Sequence, residues 1–136
     1  MIHIKLPLLS LQKGLEAMLT SDLAPIKVYN IIPENKPFPY VSIGEFRFTG
    51  PQLKALAMLA ITGGVNVFST YEGAAEAESL ANAITESLSN SDIDLAADGF
   101  RVQQTKLIEG NLITRWSEVL SGYVTIFTLT YEWTIT

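Results

Sequence analysis

The chain offers one histidine, His3, and no cysteine among its 136 residues, so the usual bases, nucleophiles and metal ligands are nearly absent. A serine triad needs a histidine base beside its nucleophile, and here only His3, at the third position, could serve. No Gly-x-Ser-x-Gly elbow accompanies it. Asp92, Asp94 and Asp98 before Gly99 faintly echo a calcium loop, but that loop wants an oxygen ligand at its fifth position, where Ala96 stands. A solvated helix-to-strand turn accounts for these aspartates as well. Gly63-Gly64 lacks the lysine of a phosphate-binding loop and the spacing of a dinucleotide fingerprint, which leaves a bend or a close backbone approach. Glu72, Glu76 and Glu78 cluster where a helix should begin, a place that favours negative charge without acid–base work. The expectation is a protein without catalytic residues, cofactor or metal.

The residues that invite a partner are aromatic and cationic. Arg115-Trp116 combines the two residue types most favoured as interface anchors, although tryptophan also fills ordinary cores. The last strand carries Tyr123, Phe127, Tyr131 and Trp133 on one face. Such a row is commonly core, but a strand over 123–135 would reach roughly 40 Å, well beyond the usual 5–6 residues. The candidate subunit-interface residues are therefore Arg115, Trp116, Phe127, Tyr131 and Trp133. Composition agrees. The chain is 48% hydrophobic and only 17% charged, with a mean hydropathy of +0.25, more apolar side chains than a monomer of this size usually hides. No apolar run approaches the ~18–20 residues of a membrane span, and no signal-peptide pattern follows the first residues. A net charge of −5 with nine thinly spread Lys and Arg leaves no basic patch for phosphates, so specific nucleic-acid binding is not expected.

The elements that must position these residues follow from periodicity. Leu8, Leu11, Leu15, Met18 and Leu19 line one stripe of a helix over 8–20, ending near Ser21 and Asp22 because Pro25 lies ahead. Residues 26–32 are β-branched and bounded by prolines, which predicts a first strand. Pro33, Pro37 and Pro39 stiffen the connection to a second strand over 40–48, the two forming a hairpin. The apolar parity of that second strand changes at Gly44, the mark of a β-bulge. Leu53, Leu56 and Leu59 after Pro51 suggest a short helix over 52–60, with a strand edge or an interface arm as alternatives. Val65–Phe68 is a third strand. Ser69-Thr70-Tyr71-Glu72 matches a capping box opening a helix over 70–89, whose Ala77, Leu80, Ala81, Ile84 and Leu88 share a face. Turns at Gly110-Asn111 and Ser121-Gly122 divide the remainder into strands over 100–109, 112–120 and 123–135, the last with one face buried throughout. The expected fold is one α+β domain over 1–136: a mixed, mainly antiparallel sheet, two main helices on one face, and a C-terminal β-meander with a long last strand.

Phe38-Pro39-Tyr40-Val41-Ser42-Ile43-Gly44, preceded by Val28-Tyr29 and Pro33 and followed by Val67-Phe68-Ser69-Thr70-Tyr71-Glu72-Gly73 and an alanine-rich helix, resembles the tail completion, or tail terminator, proteins of long-tailed bacteriophages and prophages. The resemblance runs from residue 26 onward. It implies a structural virion protein of the head–tail joining region, made in the bacterial host cytoplasm. It also implies a homo-oligomeric ring, typically a hexamer, that caps the tail tube and joins it to the head-side connector. Its implied partners are its own copies, the tail tube protein and the connector, with DNA passing through the ring and no membrane. A head-side adaptor or stopper of the neck is the alternative within this class. A cytosolic module binding a small ligand between the alanine-rich helix and the sheet is the alternative outside it.

Overall fold

The computed structural model describes residues 6–49, 59–70 and 74–136. Two helices lie against one face of a five-stranded sheet whose order is β1-β2-β3-β5-β4, the mixed α+β arrangement expected.

Helix α1, Leu8–Leu23, buries Leu11, Leu15, Leu19 and Leu23 at every fourth residue. Its first turn is closed by the Pro7 carbonyl accepting the Leu11 N–H at 2.8 Å. It runs past Asp22 because Pro25 forces only its immediate predecessor out of helical geometry, and Ala24 indeed takes an extended ψ of 138°. Gly14 is needed for packing: a Cβ there would lie 2.6 Å from Ile93 Cγ2, so its absence lets the chain after the second helix press onto α1.

Strand β1, Lys27–Tyr29, is shorter than 26–32 and pairs with β2, Tyr40–Thr49, in parallel, so the expected hairpin is not formed. The parallel register sets Val28 beside Val41, both buried, and the proline-rich connection over 30–39 carries the chain back to permit it. The bulge at Gly44 is present as a register shift between Ile43 and Phe46, which keeps Val41, Ile43 and then Phe46 on the core side. Of the stretch 52–60, residues 52–58 lie outside the described residues, and Leu59 and Ala60 belong to β3 rather than to a helix.

Strand β3, Leu59–Ser69, is the central strand, with strict alternation between buried and half-buried residues. Its length exceeds the expected 65–68 because Gly63-Gly64 does not break it. A Cβ at Gly63 would collide with the Phe46 ring and approach Trp133 Cζ3 to 3.2 Å, so this glycine is the close backbone approach anticipated. Helix α2, Ala75–Asn90, starts later than residue 70. Ser69 ends β3, Tyr71 and Glu72 lie outside the described residues, and Ala74 caps the helix without a side-chain bond. The Ser69 hydroxyl instead donates to Glu76 Oε1 at 2.6 Å, tying strand end to first helical turn. Ala77, Ala81, Ile84 and Leu88 press α2 onto β3 and β5.

After α2 two of the aspartates tie down the chain. Asp94 Oδ1 accepts the Ala96 N–H at 3.0 Å, and Asp98 accepts the Ser10 hydroxyl at 2.6 Å. Gly99 closes the short 3-10 turn Ala96–Asp98 with φ of 80°, open to glycine at little cost. Strand β4, Val102–Ser117, is continuous: Gly110 and Asn111 pair with Leu129 and Thr128, so no turn forms there and the meander reduces to a two-stranded ribbon. Glu118–Ser121 makes the one turn, and β5, Gly122–Ile135, returns between β4 and β3.

Candidate assembly interface

The β4–β5 ribbon is where burial fails. Strand β5 is paired on both sides from Thr125 to Ile135, but β3 stops at Ser69, so among the described residues Gly122–Val124 and Arg115–Ser117 pair only with each other. Helix α2 packs chiefly on β3 and β5 and borders β4, at the sheet edge, across a recess lined by Leu88, Ser89, Thr105 and Leu107. Only Val102 of its sixteen residues is fully buried.

Directly opposed residues of an antiparallel pair point to the same face. Strand β5 turns Leu129, Tyr131, Trp133 and Ile135 toward the helices. The register therefore puts Leu107, Leu112 and Trp116 on the same side, opposite Tyr131, Phe127 and Tyr123. Where α2 ends, that side becomes an open apolar stripe: Leu107 is 44% exposed, Leu112 43%, Trp116 56% and Tyr123 64%. The Trp116 and Tyr123 rings meet edge to face at 5.2 Å, a preformed aromatic pair at the ribbon tip. Ile108, unpaired in a bulge between Leu107 and Glu109, and Val119 and Leu120 in the turn extend the patch. Taking roughly 150–250 Å² per large side chain, the exposed area is on the order of 700 Å², near the ~800 Å² each partner gives to a standard interface.

The five candidate residues separate into two groups. Arg115 and Trp116 lie exposed on the outer strand, and Phe127 is half-buried, leaning over Gly110 where a Cβ would sit 3.4 Å from its ring. Tyr131 and Trp133, by contrast, are 2% and 0% exposed and belong to the core, which corrects their assignment to a surface. Trp133 is enclosed by Phe46 at 5.9 Å and by Tyr131 stacked at 5.6 Å. The Tyr131 hydroxyl reaches Thr85 Oγ1 of α2 at 3.4 Å, and burial raises its pKa while that bond partly offsets the rise. The face of β5 is thus buried from Leu129 to Ile135 but not throughout, since Tyr123 is open to solvent. Sequence reasoning missed Leu107, Ile108 and Leu112, whose outward placement depends on β4 being one long edge strand.

The opposite sheet face is polar across its middle. Ser42, Asn66, Thr128 and Asn111 stand in one row across four strands. Asn66 accepts from the Thr128 hydroxyl at 2.8 Å and donates to Ser42 Oγ at 3.4 Å. At one end of this face Tyr40 stacks on Phe68 at 4.7 Å and touches Phe38 and Tyr29. Among the described residues no group of His, Cys, Asp or Glu could hold a metal, and no helix is long and apolar enough to cross a membrane. His3 lies outside the described residues.

A comparison with curated protein sequences finds no match. Among solved structures, the chain is similar to one in the virion of a native gene transfer agent particle, with a TM-score of 0.64 and 20% identity over 89% of this chain and 83% of that one. At that identity the likeness speaks for the fold. A family model, described as tail completion protein gp17, matches residues 8–117, which takes in both helices, β1 to β3 and the whole of β4. The chain therefore belongs to the tail completion protein gp17 family and is a structural tail protein.

Proposed function

We propose that this protein is a tail terminator: it forms a ring, taken to be a hexamer as in the family resemblance, on the end of the tail tube and joins the tube to the head connector. The observation that carries the reading is the exposed stripe along β4 and the open tip of the β4–β5 ribbon, an apolar patch of interface size on a chain of a tail completion family. In the ring, Arg115, Trp116 and Phe127 lie at the boundary between adjacent subunits, with Leu112 and Tyr123 beside them. The centre of such a boundary is apolar and aromatic, as Trp116, Leu112 and Tyr123 are on the open side, while Arg115, opposed to Val124, stands on the other face of the same strand. Its partners are its own copies, the tail tube protein and the connector, and its place is the virion tail or neck after assembly in the host cytoplasm. The function asks for no reaction and no cofactor. DNA crosses the lumen without being gripped, consistent with a net charge of −5.

The test is polymerisation of tail tube protein in the presence of the purified chain. Capping predicts that tubes stop lengthening and that the chain sediments with them at a ratio set by tube ends rather than tube mass. Unchanged tube length, with the chain left in the supernatant, contradicts the reading.

A further inference from the structure

A ring needs two different complementary surfaces on each subunit, because head-to-tail contacts set unlike patches against one another. The ribbon supplies one of them. The strand order places β4 at one edge of the sheet and β1 at the other, four strand spacings or roughly 19 Å away. Immediately after β1 the chain exposes Ile31, 88% accessible, and Ile32, 41% accessible. These two knobs stand on a built base. Val28 is buried beside Val41, and the Asn30 side-chain amide donates to Glu16 Oε2 of α1 directly before them. Pro33 then fixes the backbone on the far side. Within one chain the knobs and the ribbon stripe cannot meet.

We propose that the Ile31–Ile32 knob of one copy seats on the Leu107, Leu112 and Trp116 stripe of the next, so that each subunit offers a knob at the β1 edge and a receiving face at the β4 edge. This rests on the ring reading and specifies its contact. A β-branched pair on a short anchored segment loses little freedom when it docks, and the open stripe has the apolar character to receive it. Ribbon against ribbon would instead pair like with like about a two-fold axis and would close as a dimer, leaving Ile31 and Ile32 in water.

Two variants test it, each breaking one surface: I31E/I32E and L112E/W116E. Both sets of positions are solvent-exposed, and unchanged circular dichroism will show that the fold is kept. By mass photometry, with and without tube ends, each variant alone should lose the ring, with association weakened at least about tenfold. Mixed in equal amounts, the two should form a heterodimer through the one intact knob and stripe and go no further. If I31E/I32E assembles like the unaltered chain, or the mixture yields no heterodimer, the knob assignment is overturned while the ring stands. If the unaltered chain itself forms no ring on tubes, the ring reading fails instead. Because the chain has no cysteine, I31C and W116C give an independent readout with a short bismaleimide. Cross-linking in the mixture alone supports the head-to-tail contact, and efficient cross-linking of W116C with itself refutes it.

Discussion

Replacing Gly63 by alanine places one methyl group against the Phe46 ring and close to Trp133, in the middle of the central strand. Two effects favour the change: burial of a methyl, about 0.8 kcal/mol, and lower freedom of the unfolded chain, about 0.4–1 kcal/mol. Against them stands a carbon placed inside contact distance of Phe46 Cδ1 and Cε1. Trp133 has no exposed surface and cannot retreat, so Phe46, only half-buried, must swing outward. That movement forfeits its edge-to-face contact with Trp133 at 5.9 Å, a pair worth ~0.5–1.5 kcal/mol. Overpacking of this kind usually costs ~1–3 kcal/mol net, which for a domain of this size lowers Tm by roughly 2–12 °C. Urea unfolding followed by tryptophan fluorescence should show a lower midpoint with an unchanged slope. In an F46L background the ring is gone, and the cost of G63A should fall below about 0.5 kcal/mol. A G63A chain as stable as the parent, or a cost equal in both backgrounds, would refute the argument.

Other substitutions test the core, the buried tyrosine and the surface stripe. Leu15→Ala empties a fully buried position on α1 and should cost about 2–5 kcal/mol in thermal or urea unfolding. Burial raises the pKa of Tyr131 and of Tyr40 above the ordinary value near 10, so the unfolded chain loses these protons first. The stability they contribute is complete below that pH and lost as pH rises through the folded values. Tm should fall more steeply above pH 10 in the parent than in Y131F. Trp116→Ala, on the open stripe, should cost the monomer at most ~1.5 kcal/mol through its lost contact with Tyr123 while weakening self-association at least about tenfold, read by sedimentation.

Local signals were legible where local physics decides. The leucine stripe of α1, the parity change at Gly44 and the alanine face of α2 each survive in the structure because burial of one face is what forms those elements. What escaped was set by distant pairing. Gly110-Asn111 reads as a turn, yet the neighbouring β5 holds it in the ladder, with the Phe127 ring lying over Gly110. Gly63-Gly64 reads as a bend or a close backbone approach, and Gly63 is the second, leaving the room that Phe46 requires, but the strand running on through both glycines was not legible. The parallel partnership of β1 and β2 has no signature in either strand alone. The exposed stripe was half legible: residue type singled out Trp116, which is exposed, as is Arg115 beside it in the chain. Only the sheet order separates the buried Trp133 from the exposed Trp116, and only that order brings Leu107 and Leu112 to the open stripe.

The most direct test is electron cryomicroscopy of tail tubes capped by this chain. The expected image is a closed ring on one tube end, with the β4–β5 ribbon lying between adjacent subunits and Trp116 buried there. Single copies bound without a ring, or a ring whose subunits meet elsewhere while Trp116 stays in solvent, would contradict it.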